Sequence, residues 1–326
     1  MNIAFYFDYL RRSNLELKNL SKKINTNILY LWYDFVKASI AHGAILQHYC
    51  RGGFHQLKGV ERRKSMTYRR ICKVYKQCNN PEYQHLLDNK ADFNKFFSEY
   101  INRLWLYAKE MDYSAFKRLC DQIGGGNALI IKPIDGVEGH GIYKVTIPAT
   151  DDGIKNLFNK LKGQNSLIEE CIKQHPQMAY GATSVNTIRP HTIMDKEGNV
   201  HLMKCLLRVG VGDTVVDNYC MGGCVYEIDV ETGLVDSPSL NKSGKELIIH
   251  PGTDICMLGQ KIPHWDKIKD FLTSVHKRIP QMRFVGWDLA VTEKGFELIE
   301  GNHNPDYELL EFFGSKGWYE KMKPFV

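Results

Sequence analysis

The stretch that decides the fold is IIKPIDGVEGHGIYKV, residues 130–145. An apolar run ends at Lys132, a loop with Gly136, Gly139 and Gly141 follows, and a second apolar run then begins. Glycines let a backbone approach a ligand closely and turn its N–H groups toward an anion, so this loop suits a polyphosphate. The lysine precedes the glycines and a strand follows them, which argues against a P-loop and a Rossmann turn. The alternative is an ordinary hairpin with a glycine-rich turn and a surface lysine.

A second motif, VGWDLAVTEKGFELIEGNHNPD at residues 285–306, predicts two strands around a turn. Glu300 and Asn302 are two residues apart on one strand, so their side chains share a face. A three-residue loop ending at Gly295 would place Asp288 opposite Glu300. Carboxylate and amide oxygens suit Mg²⁺ or Mn²⁺, and a cation would relieve the repulsion between two buried carboxylates. The alternative is a solvated polar end of a hairpin.

The periodicity of the chain predicts an α+β fold. Residues 1 to about 85 have helical spacing, and residues 91–108 have it again after a turn signal at 79–83. Helical patterns also cover 151–163 and 264–279. Strand patterns cover 128–133, 141–147, 166–172, 185–194, 200–209, 224–230, 284–291 and 296–302. Helices followed by strands that alternate mostly as hairpins favour α+β over a doubly wound parallel sheet.

Four ordered motifs together resemble the ATP-grasp superfamily. They are LDNKADFNKFF, IIKPIDGVEGHGI, SLIEECI and WDLAV with LIEGN. The stretches QHPQMAYGATSVNTIRPHTI, VDNYCMGGCVYEIDVETG and HPGTD look like the sugar-transfer-associated branch of that superfamily. The resemblance covers roughly residues 85 to 315. It implies two α+β subdomains that clasp ATP, at 86–180 and 181–326, preceded by a basic helical region at 1–85.

The resemblance assigns roles residue by residue. Lys90 and Lys132 would contact the ATP phosphates, and the flap around Gly136, Gly139, His140 and Gly141 would cover them. The remaining expected ATP contacts are the hinge residues Glu169, Glu170, Cys171 and Ile172, where one carboxylate takes the ribose hydroxyls. Asp288, Glu300 and Asn302 would hold Mg²⁺ or Mn²⁺. Arg189 and Arg208 would steady the γ-phosphate or an acyl phosphate, with structural salt bridges as the alternative.

Acceptor binding is the least specific part of this interpretation. The candidates are His175, Asn186, Asp217, Asn218 and His250, although a lone histidine is more often structural than catalytic. ATP-grasp ligases usually carry an N-terminal α/β domain that helps to bind substrate, and a helical segment stands at that position here. The identity of the acceptor therefore cannot be inferred from better-known members such as D-alanine–D-alanine ligase.

The activity that the resemblance implies is an ADP-forming carboxylate–amine ligase. A carboxylate would attack the γ-phosphate of ATP, and an amine would then attack the acyl phosphate. The family branch suggests a sugar or uronic acid of a surface polysaccharide or capsule as one partner. Two alternatives remain: a kinase that phosphorylates a sugar hydroxyl, with Asp217 as general base, and a non-enzymatic module whose nucleotide site has decayed. Intact Lys132, Asp288, Glu300 and Asn302 argue against decay.

Charge is concentrated in one segment of the chain. Residues 51–76 hold nine Lys or Arg and one acid, a net charge of +8 against +6 for all 326 residues. This segment is either a surface for an anionic partner, such as an acidic glycan, a phosphorylated carrier or a membrane face, or a solvated helix face. No Cys/His finger or RNA-binding signature supports a nucleic-acid partner. A homodimer is left open.

Composition and the N-terminus predict a cytoplasmic globular protein. Hydrophobic residues make up 43% of the chain, and Asp8 interrupts an N-terminal stretch that has no cleavage site. The apolar region around residues 27–46 contains Asp34, Lys37 and His42, which predicts a buried helix and no membrane span. The nine cysteines are scattered, so they are expected to be free thiols. A zinc site at Cys220 and Cys224 is disfavoured against small buried side chains.

Overall fold

The computed structural model describes residues 3–136, 140–181, 183–212, 223–240 and 246–326. The helices are α1 Ile3–Ile24, α2 Ile28–His42, α3 Leu46–Cys50, α4 Gly59–Lys64, α5 Tyr68–Cys78, α6 His85–Asp88, α7 Lys90–Phe96, α8 Tyr113–Ile123, α9 Asp151–Leu161, α10 Ile268–Lys277, α11 Tyr307–Glu311 and α12 Trp318–Met322. The strands are β1 Trp105–Tyr107, β2 Ala128–Pro133, β3 Tyr143–Thr146, β4 Ser166–Glu170, β5 Thr187–Met194, β6 Val200–Val209, β7 Cys224–Ile228, β8 Ser239–Leu240, β9 Glu246–Leu247, β10 Phe284–Thr292 and β11 Gly295–Asn302. Short 3₁₀ helices lie at Pro81–Tyr83, Ser98–Tyr100, Pro176–Met178, Trp265–Lys267 and Lys323–Phe325.

One compact unit combines the helices up to Cys78 with residues Pro305–Val326. The helix predicted around residues 27–46 corresponds to α2, which ends at His42 because Gly43 adopts the left-handed conformation at φ 73°. Asn27 begins α2 by accepting a hydrogen bond from Leu29 N at 2.8 Å. The inner face of α2 buries Leu31 and Phe35 in a small apolar core. The core is completed by Leu17, Leu20, Ala38, Ala44, Tyr49 and Phe54.

The predicted surface role of one basic residue in this unit is wrong. Arg62 is buried and donates to both carboxylate oxygens of Asp34, at 2.9 and 2.5 Å, and to Leu57 O at 2.7 Å. Tyr49 donates to the same carboxylate at 2.8 Å. Arg70 is half-buried and lies over the ring of Tyr319. Arg62 and Arg70 of the basic segment therefore have structural contacts inside this unit.

The second unit runs from Asn79 to Asn304 and contains two larger antiparallel sheets. The first sheet has the strand order β1-β4-β2-β3, and α8 and α9 contribute to its apolar core. Leu129 and Ile131 of β2 alternate inward with half-buried Ile130 and Lys132, as a period of two requires. The predicted strands and the helix at residues 151–163 are confirmed here, while α8 was not predicted.

The helix predicted for residues 91–108 is only partly correct. The helix α7 stops at Phe96, a 3₁₀ turn follows, and Trp105–Tyr107 forms the edge strand β1 against β4. Aromatic residues in Trp105-Leu106-Tyr107 suit a strand as well as a helix face, so helical spacing alone misjudged this stretch.

The second sheet has the order β11-β10-β5-β6-β7 and two contrasting faces. The apolar face packs Leu207, Trp287 and Leu289 in one core with Leu272 of α10. The opposite face carries polar side chains from four neighbouring strands. They are Glu300 and Asn302 on β11, Asp288 on β10, Arg189 and His191 on β5, and Lys204 and Arg208 on β6. One side of the sheet thus supplies the core and the other supplies the candidate site.

The α+β class and the mainly antiparallel pairing predicted from the sequence are confirmed. Among the residues described, no helix combines the length and apolar composition needed to cross a lipid bilayer.

Candidate active site

The hairpin of β10 and β11 brings Asp288 and Glu300 together as predicted, although by a different turn. Thr292 pairs with Gly295, which leaves a turn of two residues and not three. A bulge then inserts Ile299, so Leu289 pairs with Leu298 and Asp288 pairs with Glu300. The bulge restores the register that a three-residue loop would have produced.

Asp288 is the centre of an ion cluster on the polar face. Arg189 Nη2 donates to its Oδ2 at 2.9 Å, Arg189 Nε contacts its Oδ1, and Arg208 Nη2 lies 2.8 Å from Oδ2. Burial alone would raise the pKa of Asp288, but the two guanidiniums and a hydrogen bond with Glu300 lower it to about 2. Asp288 is therefore an anion at neutral pH.

Glu300 has the opposite electrostatic behaviour. Burial raises its pKa, and the neighbouring Asp288 carboxylate raises it further, while Arg189 and Arg208 only partly oppose this. A proton thus relieves the repulsion between the paired carboxylates, and a divalent cation can do the same. Asn302 follows two residues later on the same strand, with Nδ2 3.5 Å from Gly286 O.

This donor set fits Mg²⁺ or Mn²⁺. It comprises two carboxylates and one amide, all hard oxygen donors. Across the described ranges there is no group of three or more His, Cys, Asp or Glu side chains that could by itself hold a metal ion. A cation at this hairpin would accordingly depend on other oxygen ligands, as Mg²⁺ bound through one or two carboxylates and substrate phosphates does.

Lys90 lies near both predicted motifs. It is the first residue of α7, which Asn89 begins by accepting hydrogen bonds from Ala91 N and Asp92 N. Its Nζ donates to Ile134 O at 3.1 Å and to Gly136 O at 2.7 Å, both after β2. Burial lowers its pKa, and the nearby charge of Glu300 opposes that shift. The glycine loop and the carboxylate hairpin are therefore within electrostatic range of one lysine.

The glycine loop needs two of its glycines for its own geometry. A Cβ at Gly136 would lie 3.0 Å from His140 O, and a Cβ at Gly141, where φ is +77°, would lie 3.0 Å from Pro133 Cγ. His140 is exposed in the turn. Gly139 lies outside the described residues. The conformation accounts for these glycines with or without a bound phosphate, so phosphate binding stays a prediction.

The side chain of Lys132 forms an ion pair with Glu169. Its Nζ lies 2.5 Å from Oε2 of Glu169, which is buried. Glu169 also accepts hydrogen bonds from Asn94 at 3.0 Å and from Arg103 at 2.9 Å. Burial would raise the pKa of Glu169, but Arg103 and Lys132 hold it well below its ordinary value. Glu169 is therefore the counter-ion of Lys132 and Arg103.

The rest of the predicted hinge follows the end of β4. Glu170 accepts a hydrogen bond from Leu104 N at 3.2 Å and is half-buried. Cys171 Sγ donates to Ala128 O at 3.1 Å, and Ile172 is half-buried. One of these two carboxylates, Glu169 or Glu170, is expected to take the ribose hydroxyls, and Glu170 has fewer charged contacts than Glu169.

Three acceptor candidates have internal roles. Asn186 is buried, donates to Met178 O at 2.7 Å and accepts from Gly210 N at 2.9 Å. His250 lies 3.0 Å from the same residue's carbonyl, Gly210 O, and burial lowers its pKa. His175 accepts from Gln177 N at 3.2 Å and caps a 3₁₀ turn. The polar atoms of these three residues connect loops, and their binding of an acceptor stays a prediction.

The other two acceptor candidates, Asp217 and Asn218, lie outside the described residues, as does Cys220 of the disfavoured zinc pair.

Sequence reasoning missed the buried arginine that joins the two sheets. Arg103 bonds Glu169 of β4 at 2.9 Å and Glu297 of β11 at 3.0 Å. Burial opposes its charge, but the two carboxylates raise its pKa. The only available signal was one arginine inside the apolar stretch INRLWLY. Its partners are 66 and 194 residues away, so no local pattern identifies them.

Sequence reasoning also missed a row of paired residues beside Asp288 that crosses the strands β11, β10, β5 and β6. Gly286 pairs with Asn302 on one side and His191 on the other, and His191 pairs with Lys204. Within the described part of the chain neither ring nitrogen of buried His191 has a hydrogen-bond partner. Burial, then the charges of Arg189 and Lys204, lower its pKa well below the ordinary value. Its imidazole is thus neutral.

Comparison with known proteins identifies the family of the chain. The model of the sugar-transfer associated ATP-grasp family matches residues 69–325, so the chain belongs to that family. The predicted family and ATP-grasp fold are confirmed. A search of curated proteins finds no match.

Solved structures that resemble the chain are distant. N5-carboxyaminoimidazole ribonucleotide synthetase from Thermotoga maritima has 11% identity and a TM-score of 0.42 over 78% of this chain and 54% of that one. D-alanyl-alanine synthetase A from Vibrio cholerae has 14% identity and a TM-score of 0.43 over 75% and 66%. The biotin carboxylase domain of Hydrogenobacter thermophilus 2-oxoglutarate carboxylase, solved with MgADP, has 16% identity and a TM-score of 0.39 over 69% and 41%. The chain spans about two thirds or less of the length of these relatives.

Proposed function

We propose that the protein is an ATP- and Mg²⁺-dependent ligase that activates a carboxylate and joins it to an amine. The observation that carries the proposal is the Asp288–Glu300 pair, which lies beside two arginines and within electrostatic range of Lys90. Family membership supports ATP as the nucleotide.

The roles follow from charge and position. Lys90 and Lys132 neutralise phosphate oxygens next to the glycine loop, and Arg189 and Arg208 stabilise the charge that develops during transfer. Asp288, Glu300 and Asn302 would hold Mg²⁺. When bound, Mg²⁺ supplies positive charge that neutralises the ATP phosphates. Glu170 and the backbone at Cys171 and Ile172 would contact the nucleoside.

The reaction needs no covalent enzyme intermediate. A substrate carboxylate oxygen attacks the γ-phosphorus, the bond to ADP breaks, and an acyl phosphate forms. An amine nitrogen then attacks the acyl carbon, phosphate leaves and the nitrogen loses a proton. Catalysis is chiefly positioning and charge neutralisation. By analogy with the family description, the acceptor is a sugar or uronic acid of a surface polysaccharide, and the reaction occurs in the cytoplasm.

The test measures ADP release with ATP and Mg²⁺ against uronic acids and neutral sugars, each with and without an amino-acid mixture. Products are weighed by mass spectrometry. A product equal to carboxylate plus amine less one water supports the ligase. A neutral sugar that gains one phosphate without an amine would make the protein a kinase and remove the acyl-phosphate mechanism.

A matched pair of variants connects turnover to the hairpin. Glu300→Gln should lower ATP turnover by on the order of 100-fold or more, because it removes one of two carboxylates from the site. Glu293→Gln changes an exposed residue in the turn of the same hairpin and should leave turnover unchanged. Near-normal turnover in Glu300→Gln would contradict the metal assignment.

A further inference from the structure

The helix α2 presents an apolar stripe to solvent. The α2 stripe consists of Leu29, Tyr33, Val36 and Ile40, which are 73%, 64%, 47% and 72% exposed. Their spacing of four, three and four residues places them along one side of the helix. The opposite side already buries Leu31, Phe35 and Ala38 in the core. The helix is therefore apolar on two sides, and only one of them is covered by this chain among the residues described.

Such a surface is unusual on a soluble domain. Single exposed apolar residues are common, but a contiguous row marks a site that contacts a protein or a lipid surface. Tyr30 extends the row and is 49% exposed. Of the exposed residues on α2, only Lys37 is charged, since Asp34 is buried in its pair with Arg62.

Cations surround the α2 stripe. Lys37 Nζ lies 6.0 Å from the ring centroid of Tyr33, and Arg69 donates to the backbone carbonyl of Ile40 at 2.9 Å. Lys58 lines the same cleft as Tyr30 at the start of the helix. Positive charge thus lies at both ends of the stripe and at its middle.

The wider sequence strengthens this asymmetry. Residues 1–78 contain fifteen Lys or Arg and four acids, a net charge of +11 in a chain of +6. Asp8 pairs with Arg12, Glu16 with Arg51, and Asp34 with Arg62. Glu61 accepts a hydrogen bond from Lys58 N and begins α4. The acids of this segment are therefore engaged locally, and the segment keeps a net positive charge after they are counted.

We propose that the α2 stripe docks on an anionic lipid bilayer surface. Aliphatic and tyrosine side chains enter the boundary between headgroups and acyl chains, while the flanking Lys and Arg side chains contact lipid phosphates. A second copy of the chain fits less well, because an isologous contact would bring Lys37, Lys58 and Arg69 of one copy against the same cations of another. The proposal concerns peripheral docking and is independent of the proposed ligase activity.

The test is flotation of the purified full chain with vesicles. One set contains phosphatidylcholine alone, and another contains roughly one phosphatidylglycerol for three phosphatidylcholine molecules. We expect the protein to float with the anionic vesicles and not with the neutral ones. Binding should weaken as salt rises, since exposed charges are screened.

Two matched double variants isolate the stripe. Leu29→Gln with Ile40→Gln keeps helix-forming residues on α2 and should lower anionic-vesicle binding by at least about tenfold. Ile249→Gln with Leu258→Gln removes two exposed aliphatic side chains from the other unit and should bind as the unmodified chain does. Should the first variant unfold, Lys37→Glu tests the same surface and should weaken binding while every apolar side chain stays in place.

Several results would overturn the proposal. The unmodified chain failing to float with anionic vesicles would do so, as would equal binding by both double variants. Light scattering gives a third criterion. If the unmodified chain is a dimer that the α2 double variant separates, and neither binds vesicles, the stripe is an interface between copies and not a lipid-docking surface.

Discussion

At the scale of single residues, the chemistry of the site depends on an unequal carboxylate pair. Asp288 is held ionised by Arg189 and Arg208, so the cost of bringing two negative charges together falls on Glu300. The two side chains share one environment but respond to it differently, because the arginines contact only one of them directly in the described structure.

This inequality predicts how stability depends on pH without metal. The pKa of Glu300 is raised above its ordinary value of 4.5, so its protonated form stabilises the fold below that pH. Stability is then lost as the pH rises from about 4.5 through the raised pKa. In EDTA, Glu300→Gln should therefore melt higher than the unmodified chain, by a margin that widens with rising pH. Thermal unfolding from pH 4 to 8 measures this.

Mg²⁺ gives the same experiment a second readout. Added Mg²⁺ should raise the melting temperature of the unmodified chain and of Glu293→Gln, because a bound ion stabilises the folded state. It should raise that of Glu300→Gln much less. A margin that stays constant with pH, or equal stabilisation of all three proteins, would contradict the metal site.

At this scale the sequence predicted the chemical character of the site better than it predicted which side chains contact each other. The residue types of Asp288, Glu300 and Asn302 and their spacing within one hairpin identify a candidate cation site. Nothing local reveals that Lys132 is paired with Glu169, or that Glu169 is shared with Arg103. The polar atoms of Asn186 and His250 looked available for an acceptor, yet they are used by nearby loop backbone.

At the scale of elements, α4 illustrates how a charge pattern can mislead. Arg62, Arg63 and Lys64 are consecutive in sequence, but a helix points consecutive side chains in different directions. Arg62 faces inward to Asp34 and Phe54, while Arg63 and Lys64 are exposed. A basic run that appears uniform in sequence therefore contains a structural residue and surface residues.

A pair of neighbouring substitutions tests this division. Arg62→Met leaves the Asp34 carboxylate buried without its ion pair, so it should lower the free energy of unfolding by about 3–5 kcal/mol. Arg63→Met should cost less than about 0.5 kcal/mol. Hydrogen exchange of amides in α2 and α4 measures the difference, and we expect exchange to accelerate on the order of 100-fold or more only in Arg62→Met. Equal exchange in the two variants would show that the buried pair contributes nothing to the stability of these helices.

Element types were largely predictable where the period was clear. The alternation in β2 and the long strands β5 and β6 follow directly from residue spacing. The edge strand β1 did not, because Trp105–Tyr107 has only three residues and continues a helical pattern. Its structure is decided by pairing with β4, which lies about 60 residues later.

At the scale of the whole molecule, the last residues of the chain pack with the N-terminal helices. Residues Pro305–Val326 belong to the same compact unit as the N-terminal helices. Buried Glu311 accepts hydrogen bonds from Met66 N at 3.0 Å, Gly317 N at 3.1 Å and Trp318 N at 3.2 Å. One carboxylate thus connects segments about 245 residues apart. The sequence offers no signal for such a contact.

This connection predicts a destabilising effect at both ends of the chain. Glu311→Gln replaces one accepting oxygen by an amide NH₂ among backbone donors and should cost about 1–3 kcal/mol. Glu320→Gln removes only an exposed ion pair with Lys323 and should leave the free energy of unfolding nearly unchanged. Hydrogen exchange should therefore rise in residues 59–78 and 305–326 in Glu311→Gln alone. Faster exchange confined to 305–326 would contradict the role of Glu311 as a link.

The bulge at Ile299 has a consequence for how such hairpins can vary. A turn of three residues without a bulge and a turn of two residues with one contain the same number of residues between Asp288 and Glu300. Both backbones therefore keep the two carboxylates on the same face of the sheet. A single insertion or deletion without a compensating change would move every side chain beyond it to the opposite face. The number of residues in the turn can therefore change, provided that the number of residues in the strand changes by the same amount in the opposite direction.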